Sequence, residues 1–150
     1  MARVLITGMS GAGKTSVLTE LRVRGHLTVD TDYDGWTLPD GTWDESRIHR
    51  LLAANDAVVV SGTVDNQGTF YDRFDHVVLL TAPLPVLLDR VARRDTNPYG
   101  RTAAERAEIE GYVETVEPLL RRGASLVLDT QRPLAETVTV IERLVGAAHG

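Results

Sequence analysis

Five short apolar runs punctuate the chain: Val4-Leu5-Ile6, Leu27-Thr28-Val29, Ala57-Val58-Val59-Val60, Val77-Val78-Leu79-Leu80 and Leu126-Val127-Leu128. Their apolar positions are consecutive rather than alternating, the pattern of strands covered on both faces, as in a parallel sheet. Longer stretches with helical signals lie between them. Residues 14–24 read as a helix closed by Gly25, a residue suited to the left-handed position after a helix. Thr42-Trp43-Asp44-Glu45 has the form of a capping box and opens a helix to about residue 54. Pro83 or Pro85 fits the first turn of a helix reaching Arg93. Thr102-Ala103-Ala104-Glu105 is a second capping box, for a helix that stops near Gly123 and that Pro118 can kink. Pro133 starts the last helix, which ends near Gly146. The predicted order is βαβαβαβααβα, an α/β domain with a parallel sheet and right-handed crossovers. Segments 31–41 and 95–101 are rich in turn residues, follow no regular period and are expected to be mobile functional loops.

Composition narrows the picture by exclusion. The 150 residues suit about one domain and are 43% hydrophobic and 25% charged, ordinary for a globular protein. A net charge of -5 argues against a nucleic-acid partner, whose binders usually carry a basic surplus. The absence of cysteine removes disulfides, thiolate metal sites and a cysteine nucleophile. No apolar run approaches the ~18 residues of a membrane span. The strand pattern at the N-terminus leaves no room for a signal peptide, so the expected location is cytoplasmic. The four histidines, His26, His49, His76 and His149, are scattered and read as structural or surface residues.

Gly8-Met9-Ser10-Gly11-Ala12-Gly13-Lys14-Thr15 matches the phosphate-binding pattern G-x-x-x-x-G-K-[ST] at every position. A strand pattern precedes it and a helix pattern follows, as that motif requires. The glycines let the backbone curl so that N–H groups point at phosphate oxygens, and the helix N-terminus adds a favourable dipole. Lys14 then sets a cation on the β- and γ-phosphates, and the Thr15 hydroxyl is the expected Mg2+ ligand. The predicted cofactors are ATP and Mg2+, with Gly8, Ser10, Gly11, Ala12, Gly13, Lys14, Thr15 and Ser16 binding the nucleotide. A glycine-rich turn that binds nothing is the plain alternative, and a full match in the right context stands against it.

No guanine-reading Asn-Lys-x-Asp motif is present, and a large motor or AAA+ ATPase needs more chain. The remaining pattern resembles the shikimate kinase and adenylate kinase group of small P-loop kinases, over nearly the whole length. Three features carry the resemblance: the P-loop directly after the first strand; Asp30-Thr31-Asp32 at the end of the second, similar to the Asp-Thr-Asp of shikimate kinases; and the arginine-rich segment from Arg90 to Arg101 after the fourth, where that group has its lid. The resemblance implies a P-loop NTPase fold, a three-layer α/β/α sandwich with a five-stranded parallel sheet in the order 2-3-1-4-5. It also implies an acceptor-site insert at about 31–56 and a lid at about 94–103. The third strand ends Ser61-Gly62-Thr63-Val64-Asp65-Asn66-Gln67, which departs both from the Asp-Gly-Phe-Pro-Arg run of nucleoside monophosphate kinases and from the glycine triplet of shikimate kinases.

At the carboxyl end of a parallel strand, Asp30 and Asp32 face the ligand crevice with the same parity if the strand holds to its end. Asp30 is expected to orient Mg2+ through water. Asp32 is expected to take the proton of an acceptor hydroxyl or to hold that hydroxyl, and an Asx turn is the structural alternative. By resemblance, Arg94 stacks on adenine or touches phosphate and Arg101 closes on the γ-phosphate; the planar fork of arginine suits that charge. Arg93 reads as a solvated helix-end charge. Trp36, Arg47, Gly62, Asn66 and Gln67 are the candidate acceptor contacts, with Trp43 and Arg50 nearby; a small core under the loop is the equal alternative for the tryptophans. Thr130, Arg132 and Pro133 follow the last strand, where the related loop lies near adenine, and Thr130 equally fits a helix cap.

The expected function is transfer of the ATP γ-phosphate to a hydroxyl of a small metabolite. Alternatives are a nucleoside monophosphate kinase and, in another class, an ATP-binding regulatory or accessory module without catalysis. The expected partner is a small-molecule phosphate acceptor, with no nucleic acid and no membrane, and the expected assembly is a monomer or weak homodimer.

Overall fold

Consecutive apolar residues in a strand point alternately to its two faces, so a run such as Val4-Leu5-Ile6 needs cover on both. A computed structural model describes residues 2–93 and 99–146 and shows that cover. Val4 and Ile6 pack with Val17, Leu18 and Leu21 and with Val138, Ile141 and Val145 in one core cluster. Leu5 packs with Trp43, Ile48, Leu52 and Phe70 in another.

The strands are β1 (Arg3–Thr7), β2 (Thr28–Asp30), β3 (Val58–Ser61), β4 (His76–Thr81) and β5 (Leu126–Asp129). They form one parallel sheet in the order β2-β3-β1-β4-β5, as expected. The helices are α1 (Lys14–Val23), α2 (Glu45–Ala54), α3 (Leu84–Arg93), α4 (Ala103–Thr115), α5 (Glu117–Gly123) and α6 (Leu134–Val145). The result is the α/β/α sandwich of P-loop proteins. Helix α1 ends as the sequence suggests: Gly25 N–H donates to the Arg22 carbonyl and His26 N–H to that of Leu21, with Gly25 at φ 94°.

Three details differ from expectation. The first capping box does not form. The Asp44 carboxylate accepts from Arg47 N–H as the N-cap of α2, while Thr42 turns its own N–H and hydroxyl to Asp40. Burial of Trp43, with its backbone N–H on the Asn66 side chain, holds residues 42–43 outside the helix. The element between β3 and β4 is a 3-10 helix, Gln67–Arg73. The stretch toward Gly123 is two helices broken at Val116, with Pro118 in the first turn of α5, where its missing N–H costs nothing. The second capping box, Thr102 with Glu105, forms in full.

Candidate functional site

The loop 8–15 runs from the end of β1 into the first turn of α1. Its curl depends on left-handed backbone at Gly11 and Gly13, with φ 84° and 102°. At Gly11 the space is also taken: a Cβ there would lie 2.6 Å from the Leu87 carbonyl oxygen. The Lys14 ammonium lies over the loop and donates to the Gly8 carbonyl. Beneath the loop, Thr63 fixes Gly8 from the segment after β3: its hydroxyl donates to the Gly8 carbonyl at 2.7 Å and lies 3.2 Å from the Gly8 N–H. The loop borders a cavity of about 330 Å3 lined by residues 9–16 with Asp32, Tyr33, Arg90 and Tyr99.

Asp32 lines this cavity, and Asp30 stands next to it against the Thr15 hydroxyl. Strand β2 ends at Asp30, so Asp32 lies just beyond the strand rather than in it. The Thr15 hydroxyl donates to Asp30 Oδ2 at 3.2 Å, and Asp30 Oδ1 accepts the Asp32 N–H at 3.1 Å. Asp30 therefore closes an Asx turn and faces the P-loop hydroxyl with the same carboxylate. Burial raises its pKa above the usual carboxylate value, and the charge of Asp32 adds to this against the Asp32 N–H, Thr15 and Lys14. Among the described residues, no group of three or more His, Cys, Asp or Glu side chains is placed to hold a metal alone. A cation at Thr15 and Asp30 would take its other ligands from phosphate and water, which is the habit of Mg2+.

A second cavity, of about 370 Å3, opens beside the first. Gly8, Met9, Ser10, Lys14, Asp32, Thr63, Val64, Asp65, Tyr112, Val116 and Leu120 line it. The two cavities share Met9, Ser10, Lys14 and Asp32. On the opposite side of the loop, a cavity of about 260 Å3 is lined by Gly13, Ser16, Arg90, Thr130, Arg132, Leu134 and Thr137, among others. The Thr137 hydroxyl is buried there with no hydrogen-bond partner among the described residues. Pro133, by contrast, is the N-cap residue of α6 and does not line this cavity.

Several expected residues are brought elsewhere. Trp36 and Arg47 line a fourth cavity, of about 560 Å3, on the α1–β2 side with Thr15 and Asp30. Arg47 stacks over Trp36 at 4.0 Å and donates to the carbonyls of Asp34 and Gly35, so it pins the loop after β2. Trp43 is fully buried and belongs to the core, the alternative reading for the tryptophans. Gly62 faces the protein interior: a Cβ would stand 2.3 Å from the Thr31 hydroxyl and 3.2 Å from the Trp43 ring. The Asn66 amide bonds both backbone groups of Trp43, and buried Gln67 bonds Thr7, Tyr71 and Val64. These groups therefore tie the segment before α2 to the segment after β3 and brace the end of β1 at Thr7, and none of the three lines the cavities beside the P-loop.

The sequence marks Arg90 only as part of a basic segment, yet it is the bolt of the site. Its guanidinium donates to the Gly11 carbonyl at 3.2 Å and to the Thr130 hydroxyl and carbonyl at 2.8 and 2.7 Å. Thr130 in turn donates to the Ala12 carbonyl at 2.9 Å and caps no helix. Arg132 turns its Nε to the Asp129 carbonyl. Arg93 pairs with Asp89 on the exposed face of α3, as its reading as a solvated charge implied. Arg94 lies outside the described residues, as do residues 95–98 of the expected lid. Arg101 is exposed beside the N-cap of α4 and is not among the residues lining these cavities. Tyr99 does line the first cavity; burial and its hydrogen bond to Glu108 raise its pKa.

A family model described as an AAA domain fits residues 4–111, from β1 into α4. The chain belongs to that AAA domain family. Its P-loop and all-parallel 2-3-1-4-5 sheet are those of the small P-loop kinases. A domain of this family name thus fits a chain of 150 residues, against the expectation from length. A nucleotide-binding protein of Gluconacetobacter diazotrophicus is 29% identical over 97% of this chain, which spans only 42% of that relative. Shikimate kinase of Acinetobacter baumannii, in complex with shikimate, superposes with a TM-score of 0.72 at 20% identity over 97% of this chain and 93% of that one. A gluconokinase of Sinorhizobium meliloti gives 0.67 at 21% identity over 95% and 93%. Among the described residues, no helix is long and apolar enough to cross a membrane.

Proposed function

We propose that this AAA-family chain is a phosphotransferase that moves the γ-phosphate of ATP to a hydroxyl of a small molecule. The observation that carries the reading is the pair of cavities meeting at Lys14 and Asp32. Group transfer needs a donor and an acceptor site that share a wall at the reacting atoms. A module that only binds nucleotide has no need of the second cavity. Its size, about 370 Å3, falls at the small end of ligand sites, which span about 300–1,000 Å3.

In this reading the backbone of 8–15 cradles the phosphates, and Lys14 moves from the Gly8 carbonyl to the phosphate oxygens. The base lies toward the cavity bounded by Thr130, Arg132 and Thr137. The acceptor hydroxyl lies beside Asp32. Its oxygen forms the new bond to γ-phosphorus as the bond from that phosphorus to the β–γ bridging oxygen breaks. ADP leaves with the electron pair, and the hydroxyl proton passes to the Asp32 carboxylate or to water. Thr15 and Asp30 would hold Mg2+, which supplies charge neutralisation across the β- and γ-phosphates. Arg94 and Arg101 are the proposed lid cations.

The test is a metabolite-pool screen with Mg2+ and ATP, reading ADP release and new phosphorylated masses, with Lys14→Ala as the blank. One new phosphorylated small molecule supports the proposal. ATP binding without any such product would favour the nucleotide-binding module, the reading suggested by the name of the Gluconacetobacter relative.

A further inference from the structure

The second cavity has two unlike halves. Val64, Tyr112, Val116 and Leu120 form an apolar side, drawn from the loop after β3 and from the α4–α5 corner. Asp32 and Asp65, on the loops after β2 and β3, form an acidic side. Both aspartates are exposed. Among the described residues, neither is engaged in an ion pair. The cation of the lining is Lys14, which the P-loop pattern directs to nucleotide phosphate. Among the described residues, no arginine or histidine lines this space.

An acidic acceptor would have to place its carboxylate or phosphate between two aspartates, and among the described residues of the lining no guanidinium fork receives it. Unpaired anions in a partly desolvated site, beside like charges, are strongly disfavoured. An ammonium group meets the opposite situation, because carboxylates with free lone pairs make strong charge-assisted hydrogen bonds to it. Resting on the kinase reading above, we infer that the acceptor is an amino-bearing hydroxyl compound rather than an acid, a sugar acid or a nucleoside monophosphate. Its ammonium sits on Asp65 and its carbon skeleton lies against Val116 and Leu120. Its hydroxyl beside Asp32 becomes the phosphate ester, with ADP leaving and the hydroxyl proton going to Asp32 or water.

The experiment uses compounds matched at carbon 6, which is a hydroxymethyl, an aminomethyl or a carboxylate on one skeleton: hexoses, 6-amino-6-deoxyhexoses and hexuronates, with nucleoside monophosphates as a further anionic set. Phosphorylated product mass and steady-state constants are read for each. The amine is expected to exceed its neutral twin in kcat/KM by about tenfold or more, with no product from the carboxylate. Asp65→Asn should raise KM for the amine about tenfold while kcat and the KM for ATP hold, a split that a merely structural role would not give. Asp65→Lys should abolish the amine preference, and its melting temperature checks that the exposed position leaves the fold intact. Equal use of amine and neutral twin, or phosphorylation of the acids, overturns the acceptor class while leaving the kinase standing. No phosphorylated product from any compound, with ATP still bound, defeats the kinase reading and this inference with it.

Discussion

Lys14 lies across the loop that it is proposed to serve, donating to the Gly8 carbonyl. Lys14→Ala should cut phosphoryl transfer by about 100-fold or more, because a preorganised cation at developing charge is worth at least that. Melting temperature should barely change, and steady-state rates beside a thermal melt check both. Gly62→Ala should behave in the opposite way. Its Cβ would press on the Thr31 hydroxyl and Trp43, so chemical denaturation should show a loss of roughly 1–3 kcal/mol with acceptor KM unchanged. The P-loop was legible residue by residue because a local backbone shape dictates each position. Gly62, Asn66 and Gln67 were not, since their partners Thr31, Trp43 and Thr7 come from distant segments. Thr63 left no signal at all: nothing in the sequence distinguishes a threonine that bonds the Gly8 backbone from one that caps a turn.

At the scale of elements, α3 and the β5–α6 loop hold the P-loop from outside through Arg90 and Thr130. Arg90→Lys should raise the KM for ATP by about tenfold, since an ammonium cannot span the Gly11 carbonyl and both Thr130 oxygens as the planar fork does. Nucleotide titration of the folded variant measures this. The five strands were readable because two-sided burial leaves unbroken apolar runs. The start of α2 was misplaced because Thr42 and Asp44 both have the chemistry of a cap, and only the burial of Trp43 decides between them. The 3-10 helix Gln67–Arg73 is anchored by its two buried residues, Gln67 and Phe70, spaced at one 3-10 turn. So short a pattern has no distinctive period in sequence.

Across the whole molecule, α1 and α6 are tied together at the end of α1 remote from the P-loop. His26 Nε2 lies 2.8 Å from Glu142, and Arg24 reaches the same carboxylate at 3.2 Å. The His26 hydrogen bond, and then Arg24, hold the Glu142 pKa below its ordinary 4.5. A depressed carboxylate stabilises the fold above its unfolded pKa and loses that contribution as pH falls through the folded value. Glu142→Gln should therefore melt lower than the parent at neutral pH, and the two should converge well below pH 4.5, as thermal melts across pH would show. This link was invisible in the sequence, where its partners stand more than a hundred residues apart. The sheet order, in contrast, followed from the family resemblance, because a parallel sheet around a P-loop admits few arrangements. The most direct test of the proposed chemistry follows the γ-phosphate itself. With ATP labelled in that phosphorus, Mg2+ and a pool of hydroxyl compounds, label should appear in an organic phosphate, and Lys14→Ala should prevent it. Label that stays in ATP, or reaches only inorganic phosphate, would contradict the transfer of phosphate between the two cavities.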